Sequence, residues 1–169
     1  MTTDKPIDVA IIGGGPAGYA AAIYAARANL TTTVIEQGMS GWQIATTNEV
    51  ENYPGFPLLS GAELGERFQQ HAEGLGAQVA WSMVTGIDYD ADAALFTVHH
   101  DMGDTLAPSV IACMGATPRP AGFAGEDTYR GRGVSYCATC DGMFFRGKQV
   151  EVQRIFRRLF GSNPAVFYY

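Results

Sequence analysis

Two cysteines separated by two residues are the most chemically distinctive feature of this 169-residue sequence. Cys137 and Cys140 have the C-x-x-C spacing, which allows a reversible disulfide and often lowers the pKa of one thiol. Asp141 follows directly, and a carboxyl group beside a dithiol can carry the proton that is exchanged when thiolate and disulfide interconvert. We therefore predict a redox role for the pair, with Asp141 as its acid.

Two other roles compete for these cysteines. A structural zinc site usually needs four ligands, and no second paired motif is present. Two buried cysteines without any chemistry are also common, because free cysteine is among the most buried residue types. The sequence favours the redox role over both. The remaining candidate ligands are predicted to be packing, surface or satisfied-core residues: Cys113, His71, His99 and His100.

A glycine-rich segment near the start of the chain is the second candidate site. Gly13-x-Gly15-x-x-Gly18 follows an apolar run at 7–12 and opens an alanine-rich stretch, a pattern that predicts strand, tight turn and helix. The next predicted strand, 32–36, ends on Glu36. In this context the spacing is typical of dinucleotide binding, with pyrophosphate at the helix N-terminus and ribose on the acid. The competing interpretation is a tight turn without a ligand.

The acid at position 36 also restricts the nucleotide. A carboxylate there would repel a 2′-phosphate, so FAD or NAD fits this site better than NADP. The residues of the motif alone do not separate FAD from NAD.

The other segments of the chain must position these two sites. Residues 38–60 form a long polar loop, and such loops are usually functional. Ser60-x-x-Glu63 has the capping-box pattern of a helix start. The helix should bury one face, and strands should follow in a small antiparallel section, then a linker. These predicted features are Leu64, Phe68 and Leu75 on the helix face, strands at 77–84, 93–99 and 105–111, the linker 115–133, a strand around Gln149 and a helical pattern over 152–160.

The composition is that of a globular protein, with 47% hydrophobic and 17% charged residues. The formal net charge of −6 argues against nucleic acid or an anionic membrane as a partner, because both need clustered Lys and Arg. No apolar stretch approaches the ~18 residues of a membrane helix. We therefore expect a soluble, cytoplasmic protein.

Residues 7–150 resemble the N-terminal half of the low-molecular-weight thioredoxin reductases. The resemblance rests on IIGGGPAGYAAAIYAAR (11–27), QIATTNEVENYPGF (43–56), GATPR (115–119) and GRGVSYCATCDGMFFRGKQV (131–150). It implies an α/β fold with a Rossmann-like FAD-binding domain of three-layer ββα architecture, incomplete, followed by the start of a second nucleotide-binding domain. The implied domains are 1–115 for the N-terminal part of the FAD-binding domain, 116–150 for a linker and the start of the NADPH domain, and 151–169 for a divergent tail.

The resemblance also implies an activity. Electrons would pass from NADPH through FAD to Cys137 and Cys140, with Asp141 as the acid, and on to thioredoxin, in a homodimer. The FAD-contacting residues it implies are Gly13, Gly15, Pro16, Ala17 and Gly18 at the pyrophosphate, Glu36, Gln37 and Gly38 at the adenosine, Gln43 and Asn52 at the flavin half, and Val84 and Gly115 at backbone positions near the cofactor.

The sequence departs from the family at two positions near the cofactor. Trp42 replaces the second glycine of Gly-Gly-Gln and places an indole beside the flavin, where it would clash or stack. Met114 stands in Cys113-Met114-Gly115 where the family has Ala-Thr-Gly, which removes a hydroxyl group.

The tail is the third departure. After Val150 the second glycine-rich turn expected for NADPH is absent, and only Gly161 occurs in the last nineteen residues. The tail has three interpretations: a basic amphipathic helix that binds a membrane or a partner, an ordinary packed helix, or the product of a truncated or frame-shifted gene. We favour the third interpretation. We expect an incomplete thioredoxin-disulfide reductase without full activity alone; the alternative is a catalytically silent FAD-binding fragment or interaction module.

Overall fold

The computed structural model describes residues 5–117, 119–137, 141–152 and 165–168, which divide into two compact units at the 115/116 bond. Among these residues no helix is both long enough and apolar enough to cross a membrane. The elements are β1 (Val9–Ile12), α1 (Pro16–Arg27), β2 (Thr32–Glu36), α2 (Gly61–Gly74), β3 (Gln78–Trp81), β4 (Val84–Asp90), β5 (Leu95–His100), β6 (Gly103–Ala107), β7 (Ser109–Ala112), β8 (Gln149–Val152) and β9 (Ala165–Tyr168), with short 3-10 helices at Ile44–Thr46 and Gly142–Phe145.

A four-stranded parallel sheet lies at the centre of the first unit, in the order β3-β2-β1-β7. All four residues of β1 are buried, because the strand has neighbours on both sides and layers on both faces. Asp8 and Thr31 fix the register where β1 and β2 begin. The Asp8 carboxylate accepts hydrogen bonds from the Thr31 N–H and hydroxyl group, each at 2.7 Å.

The two faces of this sheet carry different layers. Val9 and Ile11 pack with α1 and α2 on one face. The alternate residues, Ala10 and Ile12, pack with Val98 on the antiparallel sheet β4-β5-β6. The order helices, parallel sheet, antiparallel sheet confirms the predicted three-layer α/β architecture.

Two predicted strands have different bounds in the structure. The segment 77–84 corresponds to β3 and reaches only the first residue of β4, so most of β4 was not predicted, whereas 105–111 divides at Pro108 into β6 and β7. Proline has no N–H to donate to a ladder, so the chain leaves the antiparallel sheet there and rejoins the parallel one beside β1. Ser82 stabilises the other point where the chain passes between the two sheets, from β3 to β4. Its N–H donates to the Glu36 carbonyl oxygen at 2.9 Å, and its Oγ accepts from the Met102 N–H at 3.2 Å.

The helix boundaries agree with the sequence. Pro16 begins α1, and Asn29, at φ +59°, ends the turn that follows it. Ser60 caps α2 by accepting a hydrogen bond from the Glu63 N–H at 3.1 Å. The predicted buried face is correct for Leu64, whereas Leu75 is exposed because it lies beyond the last helical residue.

The second unit contains β8 and β9, which pair antiparallel. The predicted strand around Gln149 is confirmed, but the predicted helical pattern is wrong at Val152, which lies in β8. The rest of that pattern, 153–160, lies outside the described residues. Glu126 organises the 121–136 segment by accepting hydrogen bonds from the N–H groups of Ala121 and Gly122 and from the Tyr136 hydroxyl group.

Candidate functional site

The glycine-rich turn lies between β1 and α1, and two of its glycines are required by the packing of the protein itself. Gly13 has φ +102°, and a Cβ there would overlap the Cys113 carbonyl oxygen at the end of β7. A Cβ on Gly18 would overlap the Gly13 carbonyl oxygen. These two glycines therefore allow the tight turn and the close approach of α1.

Gly15 is different, because a Cβ there would meet no atom within 4 Å in the part of the chain that the structure describes. The open space lies at the N-terminus of α1, which has no side-chain cap and no acidic residue in its first turn. The Tyr19 N–H donates to the Gly15 carbonyl oxygen at 3.0 Å. The N–H groups of Ala17 and Gly18 precede that bond, so they have no acceptor within the helix. This helix end can hold an anion.

Glu36 is brought to the same turn. The residue is only 5% exposed, and each carboxylate oxygen accepts a backbone hydrogen bond, from Gly14 at 2.5 Å and from Gly38 at 2.8 Å. Two backbone bonds leave further lone pairs on the carboxylate. The fixed carboxylate can therefore also accept hydrogen bonds from ligand hydroxyl groups.

The loop after Gly38 is held against the turn by backbone contacts. The Gly41 N–H donates to the Gly14 carbonyl oxygen at 2.9 Å. A Cβ on Gly61 or Gly65 of α2 would overlap the carbonyl oxygen of Ile44 or of Ser40, respectively. Helix α2 and the loop therefore pack backbone against backbone, which fixes the loop that carries Trp42 and Gln43.

A buried hydrogen-bond chain that sequence reasoning missed supports this arrangement. The Tyr19 hydroxyl group lies 3.1 Å from Ser40 Oγ, and the Ser40 hydroxyl group donates to the Gln69 side-chain carbonyl. Burial raises the pKa of Tyr19, so its hydroxyl group stays protonated. A Cβ on Gly14 would lie 3.0 Å from the Tyr19 oxygen. The Tyr19 side chain therefore packs against the glycine turn and holds it in place. In the sequence, Tyr19 is one of two tyrosines in an alanine-rich helix, and nothing distinguishes it.

The other residues implied at the cofactor have fewer contacts with the glycine turn. Gln37, Gln43 and Asn52 are exposed, and Val84 is the first residue of β4. Gly115, at φ +67°, follows Cys113 by two residues. Within the described residues, the hydrogen bonds given by the structure do not join Asn52 or Val84 to the glycine turn. The structure thus brings together the turn, Glu36, Gly38 and the loop that carries Gln43.

The dithiol segment lies in the second unit. Cys137 is disulfide-bonded, and Cys140 lies outside the described residues. Ser135, which sequence reasoning missed, links Cys137 to Asp141: its hydroxyl group donates to Asp141 Oδ2 at 2.5 Å, and its Oγ accepts from the Cys137 N–H at 3.1 Å. The Asp141 N–H donates to the Cys137 carbonyl oxygen at 3.0 Å. The acid is therefore held beside the first cysteine of the motif.

His99 has partners that the sequence did not reveal. Its Nε2 lies 2.9 Å from Asp88 Oδ2, and its Nδ1 lies 2.8 Å from Asp104 Oδ1. Hydrogen bonds to these two carboxylates raise the pKa of His99. The carboxylates stand on neighbouring strands, so helical spacing could not reveal them. Over the described ranges, no group of three ligand-type side chains has a geometry suited to a metal ion.

Cys113 is a free thiol, and burial raises its pKa. It packs against the core cluster of β1 and α1. A raised pKa lowers the fraction of reactive thiolate. The predicted packing role of Cys113 is confirmed.

Comparison with known proteins decides the family of this chain. The model of the pyridine nucleotide-disulphide oxidoreductase family matches residues 7–158. The chain belongs to this family. The thioredoxin reductase of Bacillus subtilis (strain 168) is 44% identical over 156 residues, which are 90% of this chain and 48% of that protein. The thioredoxin reductase of Escherichia coli O157:H7 is 40% identical over 167 residues, which are 98% of this chain and 50% of that protein.

The fold of this chain is also found in solved structures. The thioredoxin reductase of Streptococcus pyogenes MGAS5005 superposes with a TM-score of 0.74 at 41% identity, over 87% of this chain and 47% of that one. The chain spans about half the length of the relatives it matches. The predicted resemblance to thioredoxin reductases and the predicted Rossmann-like FAD-binding fold are confirmed.

Proposed function

We propose that this chain binds FAD in its first unit and supplies the redox dithiol of a thioredoxin-disulfide reductase from its second. The observation that carries the proposal is the open space at Gly15. The packing of the protein requires glycine at positions 13 and 18, but none of the described residues comes within 4 Å of a Cβ built at position 15. A glycine that faces open space beside an uncapped helix N-terminus suits a phosphate group that approaches the backbone.

The residues present fit the rest of the nucleotide. The N–H groups of Ala17 and Gly18 can donate to the pyrophosphate, and the Glu36 carboxylate can accept from the ribose hydroxyl groups. A buried carboxylate at this position disfavours a 2′-phosphate, which would bring a second negative charge to it. The choice of FAD over NAD rests on the family. The further residues assigned to FAD are Gly13, Pro16, Gln37, Gly38, Gln43, Asn52, Val84 and Gly115.

The dithiol would perform the transfer to the partner protein. FAD, when bound, supplies two-electron chemistry that links a nicotinamide to a dithiol; the family resemblance implies NADPH as that nicotinamide, although this sequence lacks the glycine-rich turn expected for it. A thiolate of the Cys137/Cys140 pair attacks the thioredoxin disulfide to form a mixed disulfide, and the other thiol then displaces the reduced thioredoxin. Two electrons and two protons leave the pair, and Asp141, held by Ser135, exchanges protons with it. On the same resemblance we propose a homodimer in the cytoplasm.

Alanine at Gly15 tests FAD binding. The added Cβ fills the open space, so the FAD affinity of the purified chain should fall at least about tenfold, roughly the loss of one good contact to phosphate. Folding should change by no more than about 1 kcal/mol, the cost of replacing glycine at a helix N-cap. Equilibrium dialysis against FAD and urea denaturation give the two values.

Gly74→Ala is the matched control, because Gly74 also faces open space but lies at the far end of α2. It should bind FAD as the wild type does. A wild-type chain that folds but takes up no FAD refutes the proposal, and so does a folded Gly15→Ala variant with unchanged affinity. Thioredoxin binding is tested separately, by trapping a mixed disulfide between thioredoxin and a Cys137→Ser or Cys140→Ser variant. Failure of both variants to trap thioredoxin would remove the reductase assignment and leave the FAD site.

A further inference from the structure

Trp42 has an unusual backbone for so large a residue. Its φ is +45°, a left-handed conformation that glycine adopts freely and that a bulky side chain rarely adopts. The side chain is also 43% exposed, so burial of the indole in the core does not explain the conformation. Residues in such conformations persist where the surrounding structure fixes them, and they cluster at ligand clamps.

The contacts of Trp42 place its indole beside the candidate nucleotide site. A Cβ built on Gly38 would lie 2.5 Å from Trp42 Cζ3 and 2.9 Å from Cε3, so the ring lies directly against the Gly38 backbone. The N–H of the same Gly38 donates to Glu36, the acid proposed to bind ribose. Gly41, the residue before Trp42, is hydrogen-bonded to Gly14 in the glycine turn. The indole therefore packs on the residue that binds the Glu36 carboxylate, and the backbone next to Trp42 is hydrogen-bonded to the glycine turn.

We propose that the Trp42 indole forms one wall of the nucleotide cleft and contacts the adenosine half of FAD. The inference rests on the proposed FAD binding. It differs from the expectation from sequence, which put the indole beside the flavin: the contact with Gly38, two residues from Glu36, puts the ring at the ribose end. The exposed part of the ring can pack against a sugar or a base, which is the usual way an aromatic side chain holds a nucleoside.

Tryptophan fluorescence provides the test. Trp81 is the other tryptophan, and it is paired with Glu36 across β2 and β3, so a Trp81→Phe variant is needed to isolate Trp42 emission. ADP contains the adenosine diphosphate part of FAD without the flavin, and FMN contains the flavin without adenosine. We expect ADP to change Trp42 emission at saturation and FMN to leave it unchanged.

Two variants measure the contribution of the ring to affinity. Trp42→Gly suits the positive φ and should fold, yet it should bind FAD and ADP about tenfold more weakly, as expected for one lost aromatic contact. Trp42→Phe keeps an aromatic ring and should bind within about threefold of wild type. Equilibrium dialysis gives these affinities without depending on tryptophan emission.

The outcomes separate the two proposals. If the wild type binds FAD and Trp42→Gly binds it equally well or more tightly, the proposed role of Trp42 is overturned, whereas the proposed FAD site stands. Emission that responds to FMN but not to ADP would overturn it as well, because the indole would then face the flavin half. Absence of both FAD and ADP binding by the folded wild type would overturn both proposals.

Discussion

Alanine at Gly65 should destabilise the chain, although alanine is the better helix former. Gly65 lies inside α2, where a Cβ would be 2.8 Å from the carbonyl carbon of Ser40 and 3.0 Å from the α-carbon of Gly41. Ordinary contacts between carbon atoms are about 3.5–4.0 Å, so α2 or the loop must move by about 1 Å. Both neighbours are backbone atoms, so the rotation of a side chain cannot make room.

The magnitude follows from two opposing effects. Replacing glycine by alanine inside a helix stabilises it by about 1 kcal/mol. Overpacking costs about 1–3 kcal/mol, and a contact between backbone atoms belongs at the upper end of that range. We expect the free energy of unfolding of Gly65→Ala to fall by about 2 kcal/mol. Gly74→Ala, in the same helix but facing open space, should raise it by up to about 1 kcal/mol.

Urea denaturation followed by helical circular dichroism measures both variants under the same conditions. The loop that Gly65 contacts is hydrogen-bonded through Gly41 to Gly14. The FAD affinity of Gly65→Ala should therefore fall as well, whereas that of Gly74→Ala should not. Equal changes in stability for the two variants, or stabilisation by Gly65→Ala, would refute the close packing of α2 on the loop.

Two further predictions concern pH. The pKa of His99 is raised above its ordinary 6.5 by hydrogen bonds to Asp88 and Asp104. The stabilisation of the folded state by protonated His99 is therefore complete below pH 6.5 and is lost as the pH rises through the raised pKa. In urea denaturation, wild type should lose stability relative to His99→Gln as the pH rises from about 6.5 through the raised pKa, and parallel pH profiles would contradict this. Tyr136 and Ala121 lower the pKa of Glu126 below 4.5, so its stabilisation is present above pH 4.5 and is lost on acidification through the lowered pKa. Glu126→Gln should remove that acid-dependent loss, and an unchanged acid profile would show that other groups cause it.

The features that sequence predicted well are set by neighbours along the chain. The turn at Gly13 needs a positive φ, Pro16 suits the first position of a helix, and Ser60 caps a helix through an N–H three residues later. Each requirement is met within a few residues, so residue type and spacing are enough to reveal it. The same applies to β2, whose predicted and observed ranges are identical.

The features that sequence missed depend on residues far apart in the chain. The prediction described 105–111 as one strand although Pro108 lies within it. The two halves have different partners, β5 for β6 and β1 for β7, and β1 lies far away in the chain. His99 meets its two carboxylates across strands, and Tyr19 meets Ser40 from the loop 21 residues later. Contacts of this kind are fixed by strand register and helix packing, which no local pattern records.

The two helices of the first unit have the same unsatisfied N–H groups at their N-termini, but only α2 supplies its own cap. Ser60 accepts a hydrogen bond in α2, whereas α1 begins on glycine and proline, without a side-chain acceptor. A missing cap costs a helix about 1 kcal/mol. A side chain capable of capping α1 would occupy the space that is open at Gly15. The weaker helix end is therefore the physical consequence of keeping that space free, and a bound pyrophosphate would supply the acceptors that the sequence lacks.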